Sequence, residues 1–317
     1  MNATEKPMRI AMVAPGGGGG YFGGMLAKAG EDVAALERCA HLAAIRKSGL
    51  RVEGPRGDDT LRMDTSDDAG SLGLADIVLF AVKLYQVEEA ARAAASLFGP
   101  ETLGISLLNG VTGPDAIASA LPGATILPGC AYVSAVITAP GHIRYTGAMS
   151  SIVFGAPVGD EAARAKAADV AERCRRAGIG AEMTEDARSA LWGKLSGLAA
   201  NAAMTTAARL PAGPLYADHD ILEVVAALIA ETAAVARAEG VTLPDDIEET
   251  WLTRLKGLLP GMYASMFHDI AKGGPLEVDG FLGHIVREGR RLGVPTPHHA
   301  ALYAVLKPHR AGSPATE

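Results

Sequence analysis

The sequence predicts an α/β protein in two parts, a parallel sheet wound with helices over residues 1–185 and an all-α domain over residues 186–317. Three observations carry this. Short apolar runs alternate with helical patterns through the first half, the βαβ rhythm of a parallel sheet. Five consecutive glycines, Gly16 to Gly20, separate the first apolar run from a helical stretch. Beyond Asp186 the strand signals stop and alanine- and leucine-rich helical patterns take over. A chain of 317 residues also exceeds what one core ordinarily holds.

In order, the short apolar runs Arg9–Ala14, Val33–Leu36, Asp76–Val82, Thr102–Leu107 and Thr125–Cys130 are the expected strands. The patterns between them place helices at Tyr21–Ala29, His41–Ser48, Val87–Leu97 and Pro114–Ala120. From Tyr132 to Phe154, β-branched residues broken by Pro140-Gly141 and Gly147 read as antiparallel strands at the sheet edge. Glu161–Ala177 is amphipathic, and its Arg173-Cys174-Arg175-Arg176 falls in the last turn, where cations suit the helix dipole. Gly180–Met183 is a short strand. Helices then follow at Ala187–Arg209, Asp220–Glu239, Asp245–Leu258, Met262–Lys272, Val278–Leu292 and near His298–Leu306, with a loose tail from Pro308.

Composition excludes several functions. The net charge of −7 offers no basic stripe for a nucleic acid. Cys39, Cys130 and Cys174 are odd in number and far apart, which favours neither a disulfide frame nor a zinc knuckle. Residues Met1–Pro7 lack the apolar core of a signal peptide, and no stretch is long and uncharged enough to span a membrane. The expectation is a cytoplasmic protein without nucleic-acid or membrane partners.

The glycines hold the first chemical signal. A strand that ends in glycines and restarts as a helix brings bare N–H groups to a helix N-terminus, a site for phosphate. The dinucleotide fingerprint asks for glycines at positions 14, 16 and 19, and the chain has Ala14, Gly16 and Gly19. A flexible linker is the plainer reading of such a run, but its place between an apolar strand and an apolar helix favours the nucleotide. After the second strand, Glu37 suits a ribose 2′-OH and Arg38 suits the extra phosphate of NADP, so these two residues leave the dinucleotide open. The third strand delivers Lys83 and Gln86, and the fourth delivers Asn109, at carboxyl ends that face the ligand crevice.

In the helical half, Lys194 follows Trp192-Gly193, and Glu277 follows Gly273-Gly274-Pro275 and opens a helix, where a carboxylate also suits the dipole. The pair His298-His299 invites a metal, yet adjacent side chains on a helix do not converge and no HExxH spacing occurs, so no metal is expected.

With these motifs in order, the chain resembles the ketopantoate reductase (2-dehydropantoate 2-reductase) family over nearly its whole length. The resemblance rests on the glycine loop with Tyr21-Phe22-Gly23-Gly24, Arg38 to Val52, Ala81-Val82-Lys83-Leu84-Tyr85-Gln86, Leu108-Asn109-Gly110-Val111 and Pro140-Gly141-His142. It continues through Leu191-Trp192-Gly193-Lys194, Ser265-Met266 with Asp269, Leu276-Glu277-Val278-Asp279 and Gly293 to Pro297. It implies a Rossmann-type domain, a helical domain that often pairs as a homodimer, an active site in the cleft between the domains, and a place in pantothenate biosynthesis. By resemblance Lys194 is the catalytic acid at the 2-keto oxygen, Glu277 orients it or holds a substrate hydroxyl, and Asn109 and Ser265 hydrogen-bond the substrate. Gly16, Gly17, Gly18, Gly19 and Gly20, with Arg38, Lys83, Gln86 and Asn109, would hold the cofactor, NADP(H) being favoured and NAD(H) kept open by Glu37.

The chain departs from the family where asparagines usually follow the lysine by four and eight residues, positions held here by Leu198 and Ala202. Asn201 is one residue, about 100°, from the second of them. Met262 replaces another frequent asparagine, and Arg209 reads as an exposed or interdomain residue, with a carboxylate clamp as its alternative role. These changes leave three readings: an NADPH-dependent reductase of 2-dehydropantoate, an NAD-dependent dehydrogenase of a more apolar acid, and a non-catalytic nucleotide-binding protein.

Overall fold

In a computed structural model, residues 6–313 are described, and the chain divides between Ala187 and Arg188 into two compact units. The first unit contains strands β1 (Arg9–Val13), β2 (Asp32–Leu36), β3 (Leu50–Gly54), β4 (Gly57–Leu61), β5 (Asp64–Ser66), β6 (Ile77–Phe80), β7 (Leu103–Ser106), β8 (Thr125–Leu127), β9 (Gly129–Ala139), β10 (His142–Gly155) and β11 (Gly180–Thr184). Its helices are α1 (Gly17–Lys28), α2 (Cys39–Ser48), α3 (Val87–Ala93), α4 (Gly113–Ala120) and α5 (Glu161–Arg176).

Six strands form a parallel sheet in the order β5-β2-β1-β6-β7-β8. The order reverses direction at β1, the switch point beside which such sheets bind nucleotides. Strands β6 and β7 are buried at every position because both sheet faces are covered. Val87, Ala90 and Ala91 of α3 and Ile117 of α4 pack with Val78 and Phe80 on one face. Tyr21, Phe22 and Leu26 of α1 and Val170 and Cys174 of α5 pack with Ile10, Met12 and Leu79 on the other.

The remaining strands make a second sheet, β11-β10-β3-β4 with β9 on β10, and this corrects the expected edge of the first. The β9–β10 pair is antiparallel as expected, but β10 then runs parallel to both β3 and β11. Strands β3, β4 and β5 were not expected. Gly57, Asp58 and Asp59 lower strand propensity in β4, and β3 has apolar side chains only at Leu50 and Val52.

Helix α1 also differs from expectation, for it begins at Gly17 rather than Tyr21. Its glycines let it lie between the two sheets. A Cβ at Gly19 would stand 2.7 Å from the Cβ of Ala81, and one at Gly23 2.8 Å from Met12. On the opposite side, a Cβ at Gly17 would strike the carbonyl of Ala135 in β9, and one at Gly20 would strike Ile143 in β10.

The second unit holds α6 (Ala187–Ala208, from Arg188), α7 (Ala212–Tyr216), α8 (His219–Ala238), α9 (Ile247–Lys256), α10 (Ser265–Ala271), α11 (Leu282–Leu292) and α12 (Pro297–Leu306). Val225, Leu228 and Ile229 of α8 form a core with Leu215 of α7 and Leu255 of α9. Helix α7 was missed because five residues are too short to show a period. The expected helix from Val278 is instead a 3₁₀ turn, Glu277–Asp279, followed by α11. The expected loose tail is likewise corrected up to Ser313: Leu276 N–H donates to Arg310 O at 3.3 Å, and Ser313 N–H to Gly273 O at 3.0 Å. The rest of that tail, and the first five residues of the segment judged against a signal peptide, lie outside the described residues. Among the described residues no helix is long and apolar enough to cross a membrane.

Candidate functional site

The register aligns Val13 with Leu36 and Phe80, and Phe80 with Ser106, so four parallel strands end along one edge of the sheet. Everything expected to touch a dinucleotide follows one of these ends. After β1 the chain turns sharply. Ala14 has φ +46°, the left-handed conformation the fingerprint reserves for its first glycine. Its N–H donates to Leu36 O at 2.8 Å and its carbonyl accepts from Gly16 N–H at 2.7 Å. Gly16 is the residue before α1, and a Cβ there would meet nothing within 4 Å. No side chain caps α1 and no acidic residue occupies its first turn. The N–H groups of Gly17, Gly18 and Gly19 therefore point out of a helix end that no carboxylate fills. The glycine run thus divides. Gly16 to Gly18 remain partly open, while Gly19 and Gly20 are buried and serve packing.

At the end of β2, Glu37 and Arg38 part company. The Glu37 carboxylate is half-buried and accepts the N–H of Arg38 at 2.8 Å. Burial raises its pKa above the ordinary carboxylate value, against the opposing pull of that N–H and of the Arg38 charge. The Arg38 guanidinium turns to Glu89 in the first turn of α3, with 2.5 Å between them. Lys83 opens the 3₁₀ turn after β6, Gln86 is exposed just before α3, and Asn109 is partly buried after β7 beside Gly110 at φ +82°.

In the helical unit, Lys194 and Glu277 are 7% and 4% exposed. Trp251 fixes the helix around Lys194, its indole N–H donating to Gly193 O at 2.6 Å and its ring covering Gly197 so closely that a Cβ there would collide. Leu198 is partly exposed and Ala202 buried. Ser265 is exposed at the start of α10, flanked by Tyr263 and Phe267 stacked at 3.8 Å. Arg209, at φ +57°, ends α6 in the exposed surface.

One residue gains weight over the sequence reading. Asn201 follows Lys194 by seven residues, about 20° short of two full turns, so it lies nearly in line with the lysine. Its Oδ1 accepts the Tyr216 hydroxyl at 2.6 Å. The paired histidines find a different purpose: both ring Nδ1 atoms and both N–H groups of His298 and His299 bond the Glu231 carboxylate at 2.7–3.0 Å. That carboxylate caps α12. Among the described residues no cluster of histidine, cysteine and acidic groups has the form of a metal site.

A parallel sheet with this switch point and an open helix N-terminus after β1 is the arrangement of dinucleotide-binding proteins. The family model described as ketopantoate reductase PanE/ApbA matches residues 10–159, and its C-terminal counterpart matches residues 186–310. The chain belongs to this ketopantoate reductase family, whose members are NAD(P)-dependent oxidoreductases acting on CH–OH groups. It is 30% identical to a 2-dehydropantoate 2-reductase of Halobacterium salinarum over 92% of this chain and 95% of that one. The crystal structure of a PanE/ApbA family ketopantoate reductase from Ralstonia eutropha JMP134 is 33% identical and has a TM-score of 0.86, covering 95% of this chain and 97% of that one. A D-mandelate dehydrogenase bound to NADH and anilino(oxo)acetate shares the fold, with TM-score 0.87 at 23% identity over 95% of this chain and 97% of that one.

Proposed function

We propose that the chain reduces a 2-oxo acid to the 2-hydroxy acid, with Lys194 as the general acid. The observation that carries this is the burial of Lys194 and Glu277 in the helical unit. Burying ionisable groups costs several kcal/mol, of order, unless they are paired or put to use. A bound nicotinamide dinucleotide supplies the hydride. The ammonium of Lys194, set at the 2-keto oxygen, stabilises the charge that develops there and then protonates it. Glu277 orients the ammonium, and Asn109 and Ser265 position the acid. The open N-terminus of α1 fits the pyrophosphate, because Gly16 leaves room for close approach and the first-turn N–H groups are uncapped. Lys83 and Gln86 follow β6 on the same edge and would line the cofactor channel. Replacing Lys194 by Ala is expected to slow turnover by about 10²–10⁴-fold while leaving dinucleotide affinity intact. Lost affinity would overturn its assignment to chemistry.

The end of β2 supports NADH better than NADPH. Glu37 presents a half-buried carboxylate where a ribose diol would bind, and a 2′-phosphate beside it would meet a like charge. NADPH is the second reading, carried by Arg38. The substrate divides similarly. Family membership favours 2-dehydropantoate, but Leu198, Ala202 and Met262 offer no amides to its hydroxyl. A site built around that hydroxyl would reject the hydroxyl-free analogue by about 10⁴-fold, whereas an apolar one discriminates only about 10²-fold or less. We expect kcat/KM for 2-dehydropantoate and for its hydroxyl-free analogue 3,3-dimethyl-2-oxobutanoate to differ by under about tenfold, and a ratio near 10⁴ would restore strict 2-dehydropantoate specificity. Pairing of two copies through the helical unit belongs to the same reading and is checked by sedimentation.

A further inference from the structure

We propose that Glu89 sets the choice of dinucleotide by holding Arg38 away from the 2′-position of the adenosine ribose. This rests on the reading that the edge beyond β1, β2 and β6 binds a nicotinamide dinucleotide. Arg38 is the cation that follows β2 directly, where a 2′-phosphate would be read. Its guanidinium is instead engaged by the Glu89 carboxylate at 2.5 Å, and its own N–H is bound by Glu37. Two carboxylates therefore engage Arg38, Glu37 at its N–H and Glu89 at its guanidinium.

The pair is built to yield. Arg38 and Glu89 side chains are 54% and 70% exposed, so solvent and salt screen their attraction. Arg38 stands in extended backbone just before α2, ahead of Cys39 at φ +58°. A dianionic 2′-phosphate can take the guanidinium from Glu89 but must then sit between Glu37 and the displaced Glu89. A plain ribose asks nothing of Arg38 and bonds Glu37 directly. Glu89 thus works as a competitor for the arginine, and through it raises NADH above NADPH. Favourable placement of an acid in the first turn of α3 is a plainer role for Glu89, and Glu88 shares that role while pairing with Arg92 instead.

The test is calorimetric titration of the full chain with NADH and with NADPH, for the wild type, Glu89→Gln and Glu88→Gln. The expected result is tighter binding of NADH by the wild type, with NADPH affinity rising about fivefold in Glu89→Gln and NADH affinity holding within about twofold. Glu88→Gln, which removes the same charge one residue away, should leave the ratio where it was. An unchanged ratio in Glu89→Gln, or an equal shift in Glu88→Gln, overturns the role of Glu89 while leaving the dinucleotide site standing. Binding of neither dinucleotide to the wild type overturns the site itself, and this proposal with it.

Discussion

Lys194 and Gly16 carry most of the functional argument at the level of single residues, and they do so for opposite reasons. Lys194 is a charged group that the fold has buried, and Gly16 is a small group that the fold has left open. Lys194→Ala is expected to lower kcat by about 10²–10⁴-fold, the usual worth of a general acid, with dinucleotide affinity held within about twofold. Stopped-flow turnover and calorimetry read the two quantities separately. Gly16→Val is expected to do the reverse of a core mutation. A Cβ there meets nothing within 4 Å, so the urea midpoint should stay put while dinucleotide affinity falls by at least about tenfold. A lost midpoint with retained affinity would assign Gly16 to packing. The reach of the sequence was uneven at this scale. Lys194 and Glu277 were legible because residue type and order survive in a motif. The alignment of Asn201 with Lys194 and the pairing of Arg38 with Glu89 were not, since one depends on an angle and the other on a contact across 51 residues.

Elements show why the glycine run is so long. A dinucleotide turn needs room at one glycine, yet this run extends because α1 is squeezed between two sheets. Gly20→Ala, directed at Ile143, is expected to cost about 1–3 kcal/mol of stability by overpacking, read as a lower urea midpoint with unchanged slope. An unaffected midpoint would show that α1 has space to move. The second sheet itself was the largest gap in the sequence reading. Its strand β4 is mostly polar, and β10 finds partners far apart in the chain, at Leu50–Gly54 and Gly180–Thr184. Periodicity within a window cannot reveal such pairings. The β1, β2, β6 and β7 strands were legible for the converse reason: strands covered on both faces write continuous apolar runs.

For the whole molecule, acid stability follows from the cap on α12. Burial alone would raise the Glu231 carboxyl, but the side chains and N–H groups of His299 and His298 outweigh it and hold the carboxyl at about 2. Burial also lowers His299 below its ordinary value, with Glu231 pulling the other way. Both folded values lie below their unfolded ones, so in both cases the unfolded chain binds protons first as pH falls. The stability from His299 is complete above about pH 6.5 and declines below it. That from Glu231 is complete above about pH 4.5 and declines as pH drops toward about 2. Chemical denaturation from pH 8 to pH 4 should therefore show falling stability, with a shallower fall in His299→Gln. An identical slope in that variant would place the acid sensitivity elsewhere.

On the proposed function, the nucleotide unit would hold the hydride donor and the helical unit would supply the proton donor. Transfer of label tests this most directly. NADH carrying deuterium at C4 is mixed with the protein and a 2-oxo acid, and the product is examined by mass spectrometry. The account expects deuterium at C2 of the 2-hydroxy acid, delivered from one face of the nicotinamide and appearing about 10²–10⁴-fold more slowly with Lys194→Ala. Firm binding of NADH and NADPH with no label reaching any 2-oxo acid of the series would contradict it.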